Sequence, residues 1–369
     1  MKKNRIGFCS FGKIAQTHMN ALVAMKHDLP GGTVETNSIL TRKEKPEHQE
    51  HFNRIFTDLE QFMSDEEIDI VDVCSANYQH FPQAMAAMRH GKSVYCEKPT
   101  GMNLQESKEL YEYAEANGIV NGVALSRRWN PTIIAGRDIF RSGLLGKIIN
   151  FKGQFYHWSY NSEEKELTWR QQFELGGAGA ISDLGIHTID SMRFILGEID
   201  EVVSASRIIY EERFLDETKS EKGKVSNDEY TAALLKLADG TIGILESARV
   251  CQNIDEEEPY LSIYGTKGVV VMYRDHIDWF DITEQRYRSF DEIEPSDFYR
   301  YVTTDLKPKE NMNAGGGHYS ALKNMILMHQ GGKKYPETPD LKEAYLDFQV
   351  IDAIMRSWES KKWEKVSQQ

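Results

Sequence analysis

The chain has 369 residues, of which 40% are hydrophobic and 27% charged, and its formal net charge is -13 at pH 7. This length favours two domains, and the composition is that of a globular protein with substantial cores. The acidic charge, without a basic block to offset it, argues against nucleic acid or an acidic membrane as a partner. No apolar run is long enough to span a membrane and the amino terminus lacks a signal-peptide pattern, so we expect a cytoplasmic protein.

The four cysteines lack the spacing of a disulfide framework or a metal site, which indicates a reducing compartment. Cys9, Cys74 and Cys96 each end an apolar, strand-like run, and a doubly wound sheet could place them side by side. A thiolate metal site is conceivable there. Small buried side chains explain the three cysteines more simply, and we predict no metal.

The first motif is a glycine-poor version of a dinucleotide-binding turn. A short buried strand over Arg5–Cys9 leads into Ser10, Phe11, Gly12, Lys13 and Ile14, and we predict a helix from near Gln16. Ser10, Gly12 and Ala15 occupy the three positions that are usually small in the G-x-G-x-x-G/A pattern. The serine could cap the helix or donate its hydroxyl to a phosphate, while an ordinary strand-to-helix turn is the alternative.

The next apolar segment, from about Val34 to Leu40, ends where dinucleotide-binding folds contact the adenosine ribose. Thr41, Arg42 and Lys43 follow it, and none of them is the acid that binds the ribose of NAD. Their donors and positive charge favour the extra phosphate of NADP. The alternatives are a solvated loop, or an NAD site in which Glu35 or Glu44 serves the ribose.

Two further apolar strands end in polar segments. Ile68–Val73 leads into Ser75, Asn77 and His80, and Ser93–Cys96 leads into Glu97, Lys98 and Pro99. Predicted helices from Phe81 to His90 and from Asn103 to Gly118 alternate with these strands. Such alternation predicts a parallel sheet that binds ligands at the carboxyl ends of its strands. The predicted cofactor-binding residues at those ends are Ser10, Phe11, Gly12, Lys13, Ile14, Thr41, Arg42, Ser75, Asn77, His80, Glu97 and Lys98.

The pattern changes after Arg127, and we predict a first domain over 1–127 and a second over 128–369. A helix from about Thr132 to Ser142 is followed by strand-like runs at 148–158, 201–210, 228–237, 241–250 and 259–273. Because no regular helices intervene, we expect an α/β domain with an open, mostly antiparallel sheet. One sheet face would carry helices, and the other would form a homodimer or homotetramer. A terminal helix is predicted over Leu341–Trp358.

A predicted helix over Ile181–Leu196 carries Asp183, His187 and Asp190 along one side. Leu184, Thr188, Met192 and Ile195 form the adjacent, mainly apolar stripe that packs the helix down. Asp183 lies one turn before His187 and could fix its tautomer, and a histidine near neutral pH suits proton transfer to a hydroxyl. A capping aspartate with a structural histidine is the alternative.

These motifs together resemble the Gfo/Idh/MocA family of NAD(P)-dependent oxidoreductases over nearly the whole chain. The markers are ordered: the turn from Ser10 to Ala15, Asn77 to His80, Gly91-Lys92 before Glu97-Lys98-Pro99, Arg128-Trp129-Asn130-Pro131, Gly176-Gly177 before Asp183-x-Gly185-x-His187-x-x-Asp190, and Tyr264 to Gly268. The chain departs from the family pattern at Ser10, where a glycine is usual, and at Ala76, where a proline is usual.

The resemblance implies a Rossmann domain, an α/β domain and hydride exchange between nicotinamide and a carbon of a sugar, sugar derivative or cyclitol. Lys98, Asp183 and His187 match the family's catalytic positions. In that scheme His187 takes the hydroxyl proton while Lys98 orients the oxygen and stabilises its charge. Aromatic rings between the first strand and the catalytic helix could stack on a sugar. The predicted substrate-binding residues are Lys98, Arg128, Trp158, Trp169, Asp183 and His187.

Two other functions remain open. One is a glycosidase that oxidises its substrate transiently with a tightly held NAD and no net cofactor turnover. The other is a non-catalytic, nucleotide-binding sensor, which the intact Lys98, Asp183 and His187 set disfavours. A glycine-rich loop, 311–319, is predicted to be flexible and could close over a ligand.

Overall fold

Strands and helices alternate along the first third of the chain and give way to strands beyond it, as the sequence predicts. The structure, a computed structural model, describes residues 4–25, 28–29, 34–252, 258–307 and 317–366. Most of the glycine-rich loop, 311–316, lies outside the described residues.

The strands are named in chain order: β1 (Asn4–Cys9), β2 (Val34–Leu40), β3 (Arg54–Phe56), β4 (Ile70–Val73), β5 (Ser93–Cys96), β6 (Asn121–Val123), β7 (Ile148–Tyr156), β8 (Ile199–Arg207), β9 (Glu212–Phe214), β10 (Lys222–Lys224), β11 (Tyr230–Leu237), β12 (Ile242–Ala248), β13 (Leu261–Gly265), β14 (Gly268–Met272), β15 (Ile277–Asp281), β16 (Arg286–Arg288) and β17 (Glu364–Lys365).

The helices are likewise α1 (Lys13–Met25), α2 (Pro46–His51), α3 (Leu59–Met63), α4 (His80–Arg89), α5 (Leu104–Ala116), α6 (Pro131–Arg141), α7 (Phe173–Gly176), α8 (Ile186–Leu196), α9 (Asp297–Arg300), α10 (Gly317–His329) and α11 (Leu341–Ser360). None of the helices in the described part of the chain is both long and apolar enough to cross a membrane.

The chain divides into two compact units. The first comprises Met1–Trp129 with Tyr301–Tyr345, and the second comprises Asn130–Arg300 with Leu346–Gln369. The division after Trp129 lies two residues from the predicted one. Residues 301–345 belong to the first unit, whereas the prediction assigned them to the second domain. The described residues of the segment contribute no strand to either sheet, so its sequence gives no sign of the unit on which it packs.

The first unit holds a six-stranded parallel sheet in the order β3-β2-β1-β4-β5-β6. This is the predicted Rossmann arrangement, since the order reverses at β1 and the carboxyl ends of β1, β2, β4 and β5 lie at one edge. Helix α10 packs against α1 and contacts β5 and β6. The short strand β3 and helices α2 and α3 were not predicted.

The second unit holds a nine-stranded sheet in the order β16-β15-β14-β13-β7-β12-β11-β8-β17. Every pair is antiparallel except β7 with β12, which confirms an open, mostly antiparallel sheet. The predicted run at 259–273 is two strands, β13 and β14, paired as a hairpin. The turn between them, at 266–267, is flanked by Gly265 and Gly268, a turn signal that divides the predicted run.

Helix α8 packs against β7 at a point where the strand carries no side chain. A Cβ added to Gly153 would lie 2.6 Å from Thr188 Cγ2 and 2.8 Å from Met192 Cε. Thr188 and Met192 belong to the stripe predicted to pack the helix down, and both are buried. Gly153 therefore sets how closely α8 approaches the sheet.

Candidate active site

In the turn after β1, a serine, Ser10, has the backbone conformation that is typical of glycine. Ser10 has a φ of +81°, in the left-handed region that serine seldom adopts, and its amide donates to the Leu40 carbonyl at 2.9 Å. A Cβ added to Gly12 would meet nothing within 4 Å, so the backbone before α1 is open to a pyrophosphate. Phe11 packs edge-on to Phe52 with a centroid distance of 4.9 Å.

The end of β2 lies beside this turn, because β1 and β2 are parallel neighbours. The Thr41 amide donates to Phe56 and its hydroxyl donates to the Lys43 carbonyl at 3.0 Å. Arg42 and Lys43 are exposed, as are Lys13 and Gly12. Two positive side chains therefore lie at the edge where the adenosine ribose is expected.

The segment after β4 is held by hydrogen bonds to its neighbour after β5. Both ring nitrogens of His80 face carbonyl oxygens, Nδ1 at 2.7 Å from Pro99 and Nε2 at 3.0 Å from Ser75. Burial lowers the pKa of His80. The Ser75 hydroxyl donates to Gln83 at 2.7 Å, and Asn77 is buried. His80 thus links the Ser75 segment to the Lys98-Pro99 segment.

Glu97 pairs with a histidine that sequence analysis did not single out. Its Oε2 accepts from the Lys98 amide at 3.2 Å, and its Oε1 lies 3.3 Å from His18 Nε2. His18 Nδ1 faces the Asp72 carboxylate at 2.9 Å, and both side chains are fully buried. Lys98 itself is partly exposed.

The charges of this buried group are set by competition between burial and pairing. Burial alone would lower the pKa of His18, but Asp72 and then Glu97 outweigh it and raise that pKa to about 10. Burial likewise opposes ionisation of Glu97, but the close, positively charged His18 lowers its pKa to about 2. At neutral pH an ionised Glu97 therefore holds the Lys98 backbone from one side.

The three strand-end cysteines are buried thiols. Burial raises the pKa of Cys9, Cys74 and Cys96 well above the ordinary value. The Cys74 thiol donates to the Cys9 carbonyl at 3.4 Å. The three are close neighbours in the sheet, as predicted, and are protonated at neutral pH.

The side chain of Arg128, which was predicted to bind substrate, forms an ion pair within the first unit. Its side chain is 2% exposed and pairs with Glu343 at 2.9 Å. These contacts give it a structural role and do not support the predicted contact with substrate.

In the second unit, Asp183 lies in a π-helical turn, Ile181–Gly185, that runs directly into α8. The predicted single helix therefore begins with a wider turn. Arg249, just after β12, is buried and places Nε 3.3 Å from Asp183 Oδ2. His187 is buried within α8, and its ring lies 5.9 Å from that of Phe155.

The start of this turn is anchored by Asp228, which sequence analysis did not single out. Its carboxylate accepts from the Ile181 amide at 3.1 Å and from the Thr231 hydroxyl at 2.8 Å. A Cβ added to Gly179 would lie 1.9 Å from the Asp228 carbonyl oxygen, so only glycine fits. The glycine-rich segment before the helix therefore serves close packing rather than flexibility.

The segment of Trp169 and Arg170 is held by Arg249 and Asn227. The Arg170 carbonyl accepts from Arg249 at 2.6 Å and from Asn227 at 2.9 Å, and its guanidinium lies over the Trp169 ring at 4.1 Å. Trp158 is 60% exposed, so it lies outside the sheet core and is available for contact.

Three residues of the site were not predicted from the sequence for the same reason. His18, Asp72 and Arg249 each lie within a predicted helix or strand, where a polar residue is taken only as an interruption of the apolar pattern. Arg249 was detectable as a charge at the end of an apolar strand, and Asp72 as an acid inside one.

Two family profiles match this chain. One, described as an oxidoreductase family, NAD-binding Rossmann fold, covers residues 4–125, and the other, described as its C-terminal alpha/beta domain, covers 138–366.

The chain belongs to the Gfo/Idh/MocA oxidoreductase family.

It is an NAD(P)-dependent oxidoreductase acting on a CH–OH group, as the resemblance implied. Levoglucosan dehydrogenase of Pseudarthrobacter phenanthrenivorans is 25% identical over 335 residues, which cover 86% of this chain and 85% of that protein. Myo-inositol 2-dehydrogenase of Thermotoga maritima is 21% identical over 265 residues, covering 72% and 73%. A structure of levoglucosan dehydrogenase in complex with NADH and L-sorbose has a TM-score of 0.85 at 24% identity and 99% coverage of both chains, which confirms the fold.

Proposed function

We propose that this Gfo/Idh/MocA protein transfers a hydride between nicotinamide and a carbinol or carbonyl carbon of a sugar, sugar derivative or cyclitol. The observation that carries the proposal is the family match over both parts of the chain. Lys98, Asp183 and His187 are proposed as the catalytic residues because they match the motifs of the resemblance. Relatives named for levoglucosan and myo-inositol support the substrate class.

Each catalytic residue has a separate role in this proposal. His187 accepts the proton of the substrate hydroxyl as the hydride leaves its carbon. Lys98 orients the oxygen and stabilises its developing charge, and Asp183 orients the substrate or His187. A bound nicotinamide supplies the hydride acceptor or donor. Arg249 and Asp228 hold the segment that carries Asp183.

Trp158 and Trp169 are proposed to contact the sugar. Their rings present apolar faces of the kind that pack against the C–H faces of sugars. The exposure of Trp158 and the fixed position of Trp169 above Arg170 support this role.

Replacing Lys98 with methionine tests the activity. We expect turnover to fall by about 10²–10³-fold because a positioned donor to the reacting oxygen is lost. Dinucleotide binding, measured by nicotinamide fluorescence titration, should persist. Turnover is followed as absorbance of reduced nicotinamide with both cofactors and a panel including levoglucosan, L-sorbose and myo-inositol.

Lys108→Met, a partly exposed lysine on α5 paired with Glu112, is the matched control and should keep wild-type turnover. Full turnover in the Lys98 variant would refute the assignment. Release of sugar from an aryl glycoside without net nicotinamide reduction would instead identify the transient-oxidation glycosidase.

We propose NADP as the preferred cofactor, with NAD as the alternative. The support is the pair of exposed cations, Arg42 and Lys43, at the end of β2. Replacing Arg42 with alanine should weaken NADP about tenfold relative to NAD, because one charge-assisted contact is lost. The measurement is kcat/KM with each cofactor. Arg141→Ala, an exposed arginine on α6, is the control, and an unchanged ratio in the Arg42 variant would exclude the NADP preference.

We further propose a homodimer or homotetramer formed through the sheet of the second unit. Leu234 on β11 and Ile242 and Ile244 on the neighbouring strand β12 are each at least 41% exposed. Leu234 and Ile244 are directly paired, so they form one apolar patch. A cytoplasmic location is proposed from the four free cysteines.

A further inference from the structure

Beneath Lys98, three side chains from separate elements converge on one point. His18 comes from α1, Glu97 follows β5, and His318 lies at the start of α10. One ligand atom from each lies within 4.8 Å of the others. All three residues belong to the first unit, so their arrangement depends on the packing of α10 against α1 and β5.

Three polar atoms in this group are buried without a hydrogen-bond partner among the described residues: His18 Nε2, Glu97 Oε1 and His318 Nδ1. The 3.3 Å contact between His18 and Glu97 is an ion pair whose alignment falls short of a hydrogen bond. Buried polar atoms normally have partners, because leaving one unpaired costs about 1–3 kcal/mol. His318 Nδ1 thus has no hydrogen-bond partner among the described residues, and His18 and Glu97 have only a loose contact with each other, so the convergence of the three atoms points to a ligand that they share.

We propose that His18, Glu97 and His318 bind a divalent transition-metal ion of the Zn²⁺ class. Two imidazoles and one carboxylate with an open fourth position form an established zinc donor set. An ion placed centrally among atoms at most 4.8 Å apart lies within about 2.8 Å of each, so shifts of about 0.6 Å would reach zinc bond lengths.

The surroundings fit the same ion. Asp72 faces His18 Nδ1 at 2.9 Å and leaves Nε2 for the metal, which is the carboxylate–histidine arrangement that orients zinc ligands. Glu97 divides its oxygens similarly, with Oε2 on the Lys98 amide and Oε1 toward the ion.

Metal binding would release the proton that His18 holds between Asp72 and Glu97 in the metal-free protein. The ion would then join α1, α10 and the Lys98 segment through one centre. It is a structural ion in this proposal, and the hydride chemistry does not pass through it.

The test is metal binding by the whole chelator-treated protein. Equilibrium dialysis against Zn²⁺ should give one ion per chain, and Co²⁺ should give the visible absorption bands of tetrahedral coordination. His318→Ala should weaken binding at least tenfold and abolish those bands. Asp72→Asn should weaken it about 10–100-fold, as expected when the partner of a ligating histidine is lost.

His276→Ala is the matched control, since that histidine is 42% exposed and lies in the second unit, and it should bind as the wild type does. Absence of a stoichiometric ion, or equal affinity in His318→Ala, would overturn the proposal. If His318→Ala fails to fold, the Co²⁺ spectrum of the wild type decides alone, because a featureless spectrum also overturns it. Neither measurement depends on turnover, so the hydride-transfer proposal stands or falls separately.

Discussion

Ser10 holds a conformation that costs a serine free energy. The left-handed region is disfavoured by about 1–2 kcal/mol for a residue with a Cβ, and φ at Ser10 is +81°. Relief of that strain in Ser10→Gly should exceed the roughly 0.4–1 kcal/mol lost through greater freedom of the unfolded chain. We expect a net stabilisation of about 0.5–1 kcal/mol, measured by chemical denaturation without cofactor.

Ser64→Gly is the control for this prediction. Ser64 has an ordinary φ of -78° at the end of α3, so glycine should destabilise the protein there. A Ser10 variant that loses as much stability as the Ser64 variant would show that the turn is not strained.

The sequence predicts residues at strand ends well and buried polar partners poorly. Ser10, Thr41, Ser75 and Lys98 were placed at one sheet edge because alternating strands and helices require it. His18 could not be paired with Glu97 or His318 from the sequence, since both contacts are long-range, and the one with His318 spans 300 residues and depends on where α10 packs. Whether each residue of that group is charged at neutral pH also depends on its burial, which a sequence does not give.

At the scale of elements, Gly153 controls the position of the helix that carries His187. A methyl group at this site would clash with Thr188 and Met192, so Gly153→Ala should push α8 from the sheet. We expect a loss of about 1–3 kcal/mol from overpacking. Displacement of about 1 Å should also lower kcat by up to about 10²-fold, while dinucleotide binding by the first unit stays unchanged.

Gly122→Ala provides the comparison, since its added Cβ would meet Tyr95 and Met325 at ordinary distances of 3.4 and 3.5 Å. That variant should keep its stability and kcat. Denaturation curves and steady-state kinetics check both variants, and a Gly153 variant with normal kcat would show that α8 tolerates the shift.

Element type was predictable where periodicity was clean. The predicted helix at 341–358 matches α11, and the predicted strand at 148–158 matches β7, each within two residues. The hairpin of β13 and β14 was predicted as one strand-like run because both strands are apolar and the turn that joins them is only two residues long. The π-helical turn at Asp183 is set by Asp228 from a distant loop, and a helical pattern cannot reveal such a tertiary anchor.

For the whole molecule, the exposed apolar patch on β11 and β12 predicts self-association. Leu234→Lys should convert the oligomer to monomers, because a charge buried at an interface without a partner is unfavourable. Sedimentation equilibrium measures the mass. Val23→Lys, at a similarly exposed apolar position on α1, should leave it unchanged. A monomeric wild type, or a Leu234 variant of unchanged mass, would refute assembly through this face.

The return of residues 301–345 to the first unit bears on how the protein is made. A ribosome that has finished Trp129 must add about 200 more residues before α10 is complete, which takes roughly 10–40 s at cellular rates of synthesis. During that interval the surfaces of α1, β5 and β6 that α10 covers stay open. The nascent Rossmann unit therefore exposes an apolar face, which chaperones can bind, until α10 has been synthesised, and fragments ending near residue 129 should aggregate on expression.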